Sequence, residues 1–242
     1  MKHRNILSIT AAVGASCAVL AVPVAVAAPA GHATLGHAAS GPKVTVRVEG
    51  LNKTLLPSDS VTTSTAAVTR SGQSIAGQSA LGALNLATKG QWNGTYGSYG
   101  WFISGVLGES APTGTEDYWA FYVNGVYSSS GAGTTTVKAG ANYLLAMVKY
   151  PGATPLVSNL AAPSKSTAGK VLSVKLGDYS AKGKLEPLTG ATLSYSGAGL
   201  KGRITDEAGS SLKLKPTKAG DLNISITKNG YIRDAVTVKI NK

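Results

Sequence analysis

The chain has 242 residues, a formal net charge of +12, one cysteine and three histidines. His3, His32, His37 and Cys17 all precede Lys43, which excludes Ser-His-Asp and Cys-His catalysis, the usual zinc sites and disulfides from everything after it. The length beyond the first segments, about 200 residues, holds one large or two small domains.

Lys2, His3 and Arg4 make a basic start, an apolar run follows from Ile6 to Val26, and Ala25-Val26-Ala27 supplies a small-x-small cleavage site. These are the three parts of a secretory signal peptide, expected over residues 1–27, with an uncleaved anchor as the alternative. No later stretch is apolar enough to span a membrane. Residues 28–42 are small, polar and without period, and are expected to be a flexible leader.

The first domain is expected over residues 43–150. Val44, Val46 and Val48 alternate with Thr45, Arg47 and Glu49, the pattern of a half-buried strand, and a second strand is expected from Val61 to Arg70. Ser79 then stands as N-cap before Ala80, Leu81, Ala83, Leu84 and Ala87 at helical spacing, with Gly90 beyond. Gly82 weakens that helix but permits close approach by another element. An aromatic, glycine-punctuated stretch runs from Trp92 to Ile103. Tyr118–Val123 reads as a strand, and Asn124-Gly125 predicts a two-residue hairpin into Val126-Tyr127. Thr134–Val137 and Tyr143–Tyr150 are the remaining strands expected.

Residues 151–163, with three prolines, are expected to be a linker. Residues 164–242 carry short alternating runs: Lys170–Leu176, Ala191–Tyr195, Gly202–Thr205, Ser211–Lys215, Leu222–Thr227 and Ala235–Ile240. Regular turn residues between such runs indicate a β-sandwich. Charge divides unevenly: seven Lys/Arg against five Asp/Glu from Lys43 to Pro155, but fourteen against six from Leu156 to Lys242. The basic half would be drawn to anionic cell-wall or surface polymers. Nucleic acid is not expected as a partner, because aromatics and charge sit in different domains, whereas single-strand binders combine them in one groove.

Glu116 and Asp117 are the closest carboxylates, but neighbours in a strand point to opposite faces, so they make no glycosidase pair. No cofactor or metal is expected, and the chain reads as a non-enzyme. The aromatics carry the positive signal. In Tyr118–Val123, Trp119, Phe121 and Val123 share one face, suited to packing on the helix through Leu81 and Leu84. Tyr118, Ala120 and Tyr122 share the other, which Tyr127 extends across the hairpin. Tyr118, Tyr122 and Tyr127, with Trp101 from the aromatic stretch before them, are the candidate ligand-binding residues, offering flat surfaces for stacking; the alternative is that this face is a second layer of core or is covered by the Trp92–Trp101 loop.

Several of these pieces also resemble a bacterial domain family of unknown function related to the C-terminal domain of transcobalamin and intrinsic factor. They are residues 44–50, Ser79–Leu84, Gly100-Trp101-Phe102-Ile103 and the specific run Tyr118-Trp119-Ala120-Phe121-Tyr122-Val123-Asn124-Gly125, with Val148-Lys149-Tyr150. The resemblance implies a β-grasp-like α+β domain that binds soluble ligands, in some relatives a corrinoid. Thr205–Gly209, Lys218-Ala219-Gly220 and Asn229-Gly230-Tyr231 resemble a bacterial immunoglobulin-like surface module. The expectation is thus a mainly β protein with one helix, secreted or cell-surface. Its first domain would bind a soluble ligand, corrinoid-like or glycan; the alternative is an adhesion or structural module without a small ligand.

Overall fold

The first element among the described residues is the ten-residue β1 (Ser40–Glu49). In this computed structural model residues 40–206 and 211–242 are described; the expected signal peptide and most of the expected leader lie outside them. Val44, Val46 and Val48 are buried, as their alternation predicts, but Arg47 and Glu49 on the opposite face are buried as well. β1 is therefore enclosed on both sides rather than half-buried.

The elements of the first half follow as β2 (Thr54–Ser64), β3 (Val68–Arg70), β4 (Gln73–Ile75), α1 (Ala80–Ala87), β5 (Trp92–Gly97), β6 (Gly100–Val106), β7 (Glu109–Ser110), β8 (Tyr118–Val123), β9 (Val126–Tyr127) and β10 (Asn142–Val148). The strand expected at Val61–Arg70 is instead the end of β2 and a separate β3, broken by a bend at Thr65 and Ala66. Thr134–Val137 makes no strand; Thr136 bridges only to Ser79. One sheet runs β2-β1-β10-β8-β9, with β1 and β10 parallel at its centre. The helix lies on one face, the β-grasp arrangement, where Leu81 and Leu84 join Val46, Trp119, Tyr143 and Leu145 in one core.

Local chemistry explains the helix and hairpin. The Ser79 hydroxyl accepts from the Gly82 N–H at 3.0 Å, satisfying one orphan donor of the first turn. At Gly82 a Cβ would lie 2.6 Å from the Ala76 and Gly77 carbonyl oxygens, so the turn between β4 and the helix closes onto the helix backbone. Asn124 and Gly125 take φ of 49° and 79°, the two left-handed positions of the hairpin turn.

The second half contains β11 (Leu156–Ala161), β12 (Lys165–Thr167), β13 (Leu172–Tyr179), β14 (Leu185–Pro187), β15 (Ala191–Gly197), β16 (Leu200–Asp206), β17 (Ser211–Leu214), β18 (Gly220–Thr227), β19 (Tyr231–Ile232) and β20 (Asp234–Asn241). Two sheets, β14-β13-β11-β19 with β17 on β13, and β12-β20-β18-β15-β16, enclose a core of Leu160, Val174, Leu176, Leu193, Leu222, Ile224, Ile226 and Val238. The expected linker is thus shorter than residues 151–163: Leu156–Ala161 is a sandwich strand pairing β13 and β19. Val157 and Leu160 are buried on opposite faces of it, in the two separate cores, so the strand lacks the half-buried alternation that would mark it in the sequence, and prolines flank it.

A third buried cluster joins the halves. Ala120, Tyr122, Leu144, Ala146 and Val148 from the first sheet pack with Val157 and Ile232 from the sandwich, with Tyr118 and Tyr179 at the margin. All described residues belong to one compact unit.

Candidate ligand-binding site

Alternation places Tyr118 and Tyr122 on the face of β8 away from the helix, and Tyr127 pairs opposite Tyr122. Most of that face is covered, although Tyr127 at its edge is 44% exposed. Tyr122 is 1% exposed, and its hydroxyl donates to the Pro155 carbonyl at 3.3 Å. Its phenol is pushed well above the ordinary tyrosine range, by burial first and by Tyr118 and Tyr127 second. Tyr127 packs edge-on at 5.6 Å, and Tyr118 meets Tyr150 edge-on at 6.4 Å. The tyrosine face, expected to bind a ligand, is the contact between domains. The overlooked signal lies in β10: Tyr143–Val148 is continuously apolar, the pattern of a strand buried on both faces.

Trp101 lies elsewhere, on the helix side of the first sheet, so the four candidate residues do not converge. β5 and β6 form a hairpin in which Tyr96 pairs Trp101 and Thr95 pairs Phe102. Trp101 meets Trp92 edge-on at 5.2 Å and Tyr96 at 5.6 Å. Trp92 is the anchor: its Nε1 donates to Asn85 Oδ1 at 3.0 Å, and the Arg70 guanidinium lies 4.1 Å from the centre of its ring. Trp101 Nε1, by contrast, is buried with no hydrogen-bond partner among the described residues. Such an orphan donor costs about 1–3 kcal/mol.

Beside Trp101 is a cavity of about 100 Å³ lined by Ser74, Ile75, Tyr96, Tyr99, Gly100, Gly131, Gly133 and Thr134. A Cβ at Gly133 would stand 3.3 Å from the Trp101 ring, so glycine keeps the wall thin there. Tyr96 is 55% exposed, Phe102 63% and Tyr99 fully exposed. Tyr96 and Tyr99 are the site residues that alternation in β8 does not reveal. Their signal is the run Tyr96-Gly97-Ser98-Tyr99-Gly100, in which aromatics occupy a tight turn with nothing to bury them; Gly100 has φ of 91°. The hairpin thus presents two solvated rings against one half-buried indole, an arrangement that stacks on a flat or apolar ring face.

Among the described residues no three His, Cys, Asp or Glu side chains gather to hold a metal ion, and no helix is long and apolar enough to cross a membrane. One carboxyl is pushed far up: Glu49, to about 7, chiefly by burial. It is 1% exposed and held by Thr54 and two arginines.

No curated protein matches the chain. Among solved structures, a candidate metal binding protein from Ruminococcus gnavus is 18% identical over 45% of this chain and 97% of that one, with a TM-score of 0.34. Haptocorrin in complex with Cbi is 24% identical over 45% of this chain, with a TM-score of 0.36, and the aligned part is 25% of haptocorrin. Residues 77–145, from just before α1 into β10, match the family described as a domain of unknown function, DUF4430.

Proposed function

We propose that this is a secreted or cell-surface, non-catalytic binding protein whose first domain holds a soluble ligand on the β5–β6 hairpin. The observation that carries the proposal is the set of rings around one cavity: Tyr99 fully exposed, Tyr96 over half exposed, and Trp101 behind them. Size favours the ligand class. Pockets that enclose drug-sized molecules measure about 300–1,000 Å³, whereas this cavity is about 100 Å³. One sugar ring of a glycan suits it better than a whole corrinoid. A non-catalytic role is supported by the lack of histidine and cysteine after His37 and by the enclosure of Glu49. Secretion is supported by the pattern of residues 1–27, and the basic second domain suits an anionic surface.

The adhesion or structural reading has its own support, since both faces of the first sheet are covered. Fluorescence separates the two readings, because Trp92, Trp101 and Trp119 all lie in the first domain. The purified protein would be titrated with N-acetylglucosamine oligosaccharides, a neutral glucan and cobalamin. A saturable change with one of the glycans, weakened about tenfold or more in Tyr99→Ala, as expected for losing about 1–3 kcal/mol of ring stacking, supports the hairpin site. A flat response to all three from folded protein favours the adhesion reading. Tyr122→Ala is no test of binding, because that ring is structural.

A further inference from the structure

A cavity of about 590 Å³ lies away from the hairpin. It is a groove on the outer face of the β12-β20-β18-β15-β16 sheet, closed on one side by Pro57 of β2. The register explains its shape. Leu193, Leu222, Ile224 and Val238 point inward and are buried, so by alternation Ser194, Ser196, Asn223, Ser225 and Thr237 point outward. Across the strands these fall into two rows. Arg203 pairs Ser194, Ser194 pairs Ser225, and Ser225 pairs Ala235. Lys201 pairs Ser196, Ser196 pairs Asn223, and Asn223 pairs Thr237. Three strand spacings make each row about 14 Å long.

Each row therefore starts at a cation on the edge strand and crosses small residues that leave the sheet surface low. The groove lining contains no acidic residue. Lys201 and Arg203 are exposed and have no ion-pair or hydrogen-bond partner among the described residues. The nearest outward-facing ion pair on this sheet, Lys239 with Asp221 at 2.7 Å, is self-compensated. Thr237 donates to Asn223 Oδ1 at 2.9 Å, which leaves the Asn223 amide N–H groups to meet an incoming acceptor.

We propose that this groove binds a carboxylated polysaccharide, with Arg203 and Lys201 on its carboxylates and the serine, asparagine and threonine rows on its hydroxyls. The proposal rests on the second domain being the part that meets an anionic surface, and it gives that contact an address. Charge alone would accept any polyanion. The two hydroxyl-and-amide rows are what match a chain bearing many hydroxyl groups, and the fork of Arg203 suits a carboxylate in two-point contact.

The test is binding of polygalacturonate to the purified protein at two salt concentrations, with neutral dextran and polyphosphate as comparisons. Lys201→Ser with Arg203→Ser is set against Lys175→Ser with Lys213→Ser, an equal change of charge on the other sheet. The groove pair should lose affinity about tenfold or more, as for charge-assisted contacts, while the distant pair changes little. Ser225→Trp, which fills the groove without altering charge, should also abolish binding. Equal losses in the two charge-changing pairs would overturn the groove and leave only general attraction. Polyphosphate binding as tightly as polygalacturonate would overturn the sugar assignment. Failure of the wild-type protein to bind polygalacturonate while it still binds polyphosphate would overturn the groove alone, and failure to bind either would overturn the anionic-surface reading as well, without touching the hairpin site.

Discussion

Glu49 is enclosed by groups from both halves of the chain. Thr54 donates to its Oε2 at 2.8 Å, while Arg47 Nε and Arg233 Nε stand farther off, at 3.7 and 4.0 Å. Arg47 directs its closest contact elsewhere, to Asp234 at 2.6 Å, and Asp234 also accepts from the Leu160 N–H at 2.7 Å. Burial therefore outweighs the attraction of the arginines, and the Glu49 carboxyl is raised from 4.5 to about 7. A carboxyl with a raised folded value binds its proton more tightly in the fold than in the unfolded chain. Its contribution is present in full below about pH 4.5 and is lost as pH rises through about 7. The difference amounts to about 3 kcal/mol. Glu49→Gln, which keeps the neutral shape, should remove this part of the slope when urea midpoints are compared between about pH 5 and 8. A variant with the wild-type slope would mean that Glu49 stays ionised throughout.

Among the elements, the β8–β9 hairpin shows a turn serving two purposes. Asn-Gly is readable from sequence as the turn type, and both residues take the positive φ it requires. The sequence does not reveal that a Cβ at Gly125 would overlap the Tyr179 ring of the sandwich. Gly125→Ala should therefore disturb the hairpin and the domain contact together, lowering stability by more than about 1 kcal/mol in chemical denaturation. Asn124→Gly keeps a residue comfortable at positive φ but loses the hydrogen bond that its Oδ1 accepts from the Asn142 N–H at 2.8 Å, so it should cost only about 1 kcal/mol. Similar loss in both variants would assign the effect to the turn alone. The β5–β6 hairpin was half legible in the same way. Its aromatics and glycines stand out in the sequence, but pairing Tyr96 with Trp101 while leaving Tyr99 in solvent required the register.

For the whole molecule, the Tyr122 cluster turns two sheet systems into one unit. Ile232 reaches the first sheet from β19 and is 7% exposed. Ile232→Ala should cost about 2–4 kcal/mol, as buried aliphatic truncations do. The wild-type protein should melt in a single calorimetric transition, since both halves share this core. Two separated transitions in the wild type would show that the contact is too weak to couple them.

Alternation, turn residues and a capping serine, each acting over a few neighbours, determined most strand positions, the α1 helix, the sandwich and the two aromatic faces of β8. Local chemistry suffices for these because backbone periodicity and turn geometry are set within a few residues. Which face stays wet was decided only by tertiary structure. Tyr122 is covered by Val157 and Ile232, residues remote in sequence, and nothing in the Tyr118–Val123 run records their arrival. Leu156–Ala161 was likewise legible as a strand only once β13 and β19 flanked it. The groove under Arg203 and Lys201 exists because register aligns small residues from β15, β18 and β20. Hydrogen bonds between distant strands fix that alignment, and a linear pattern does not contain it.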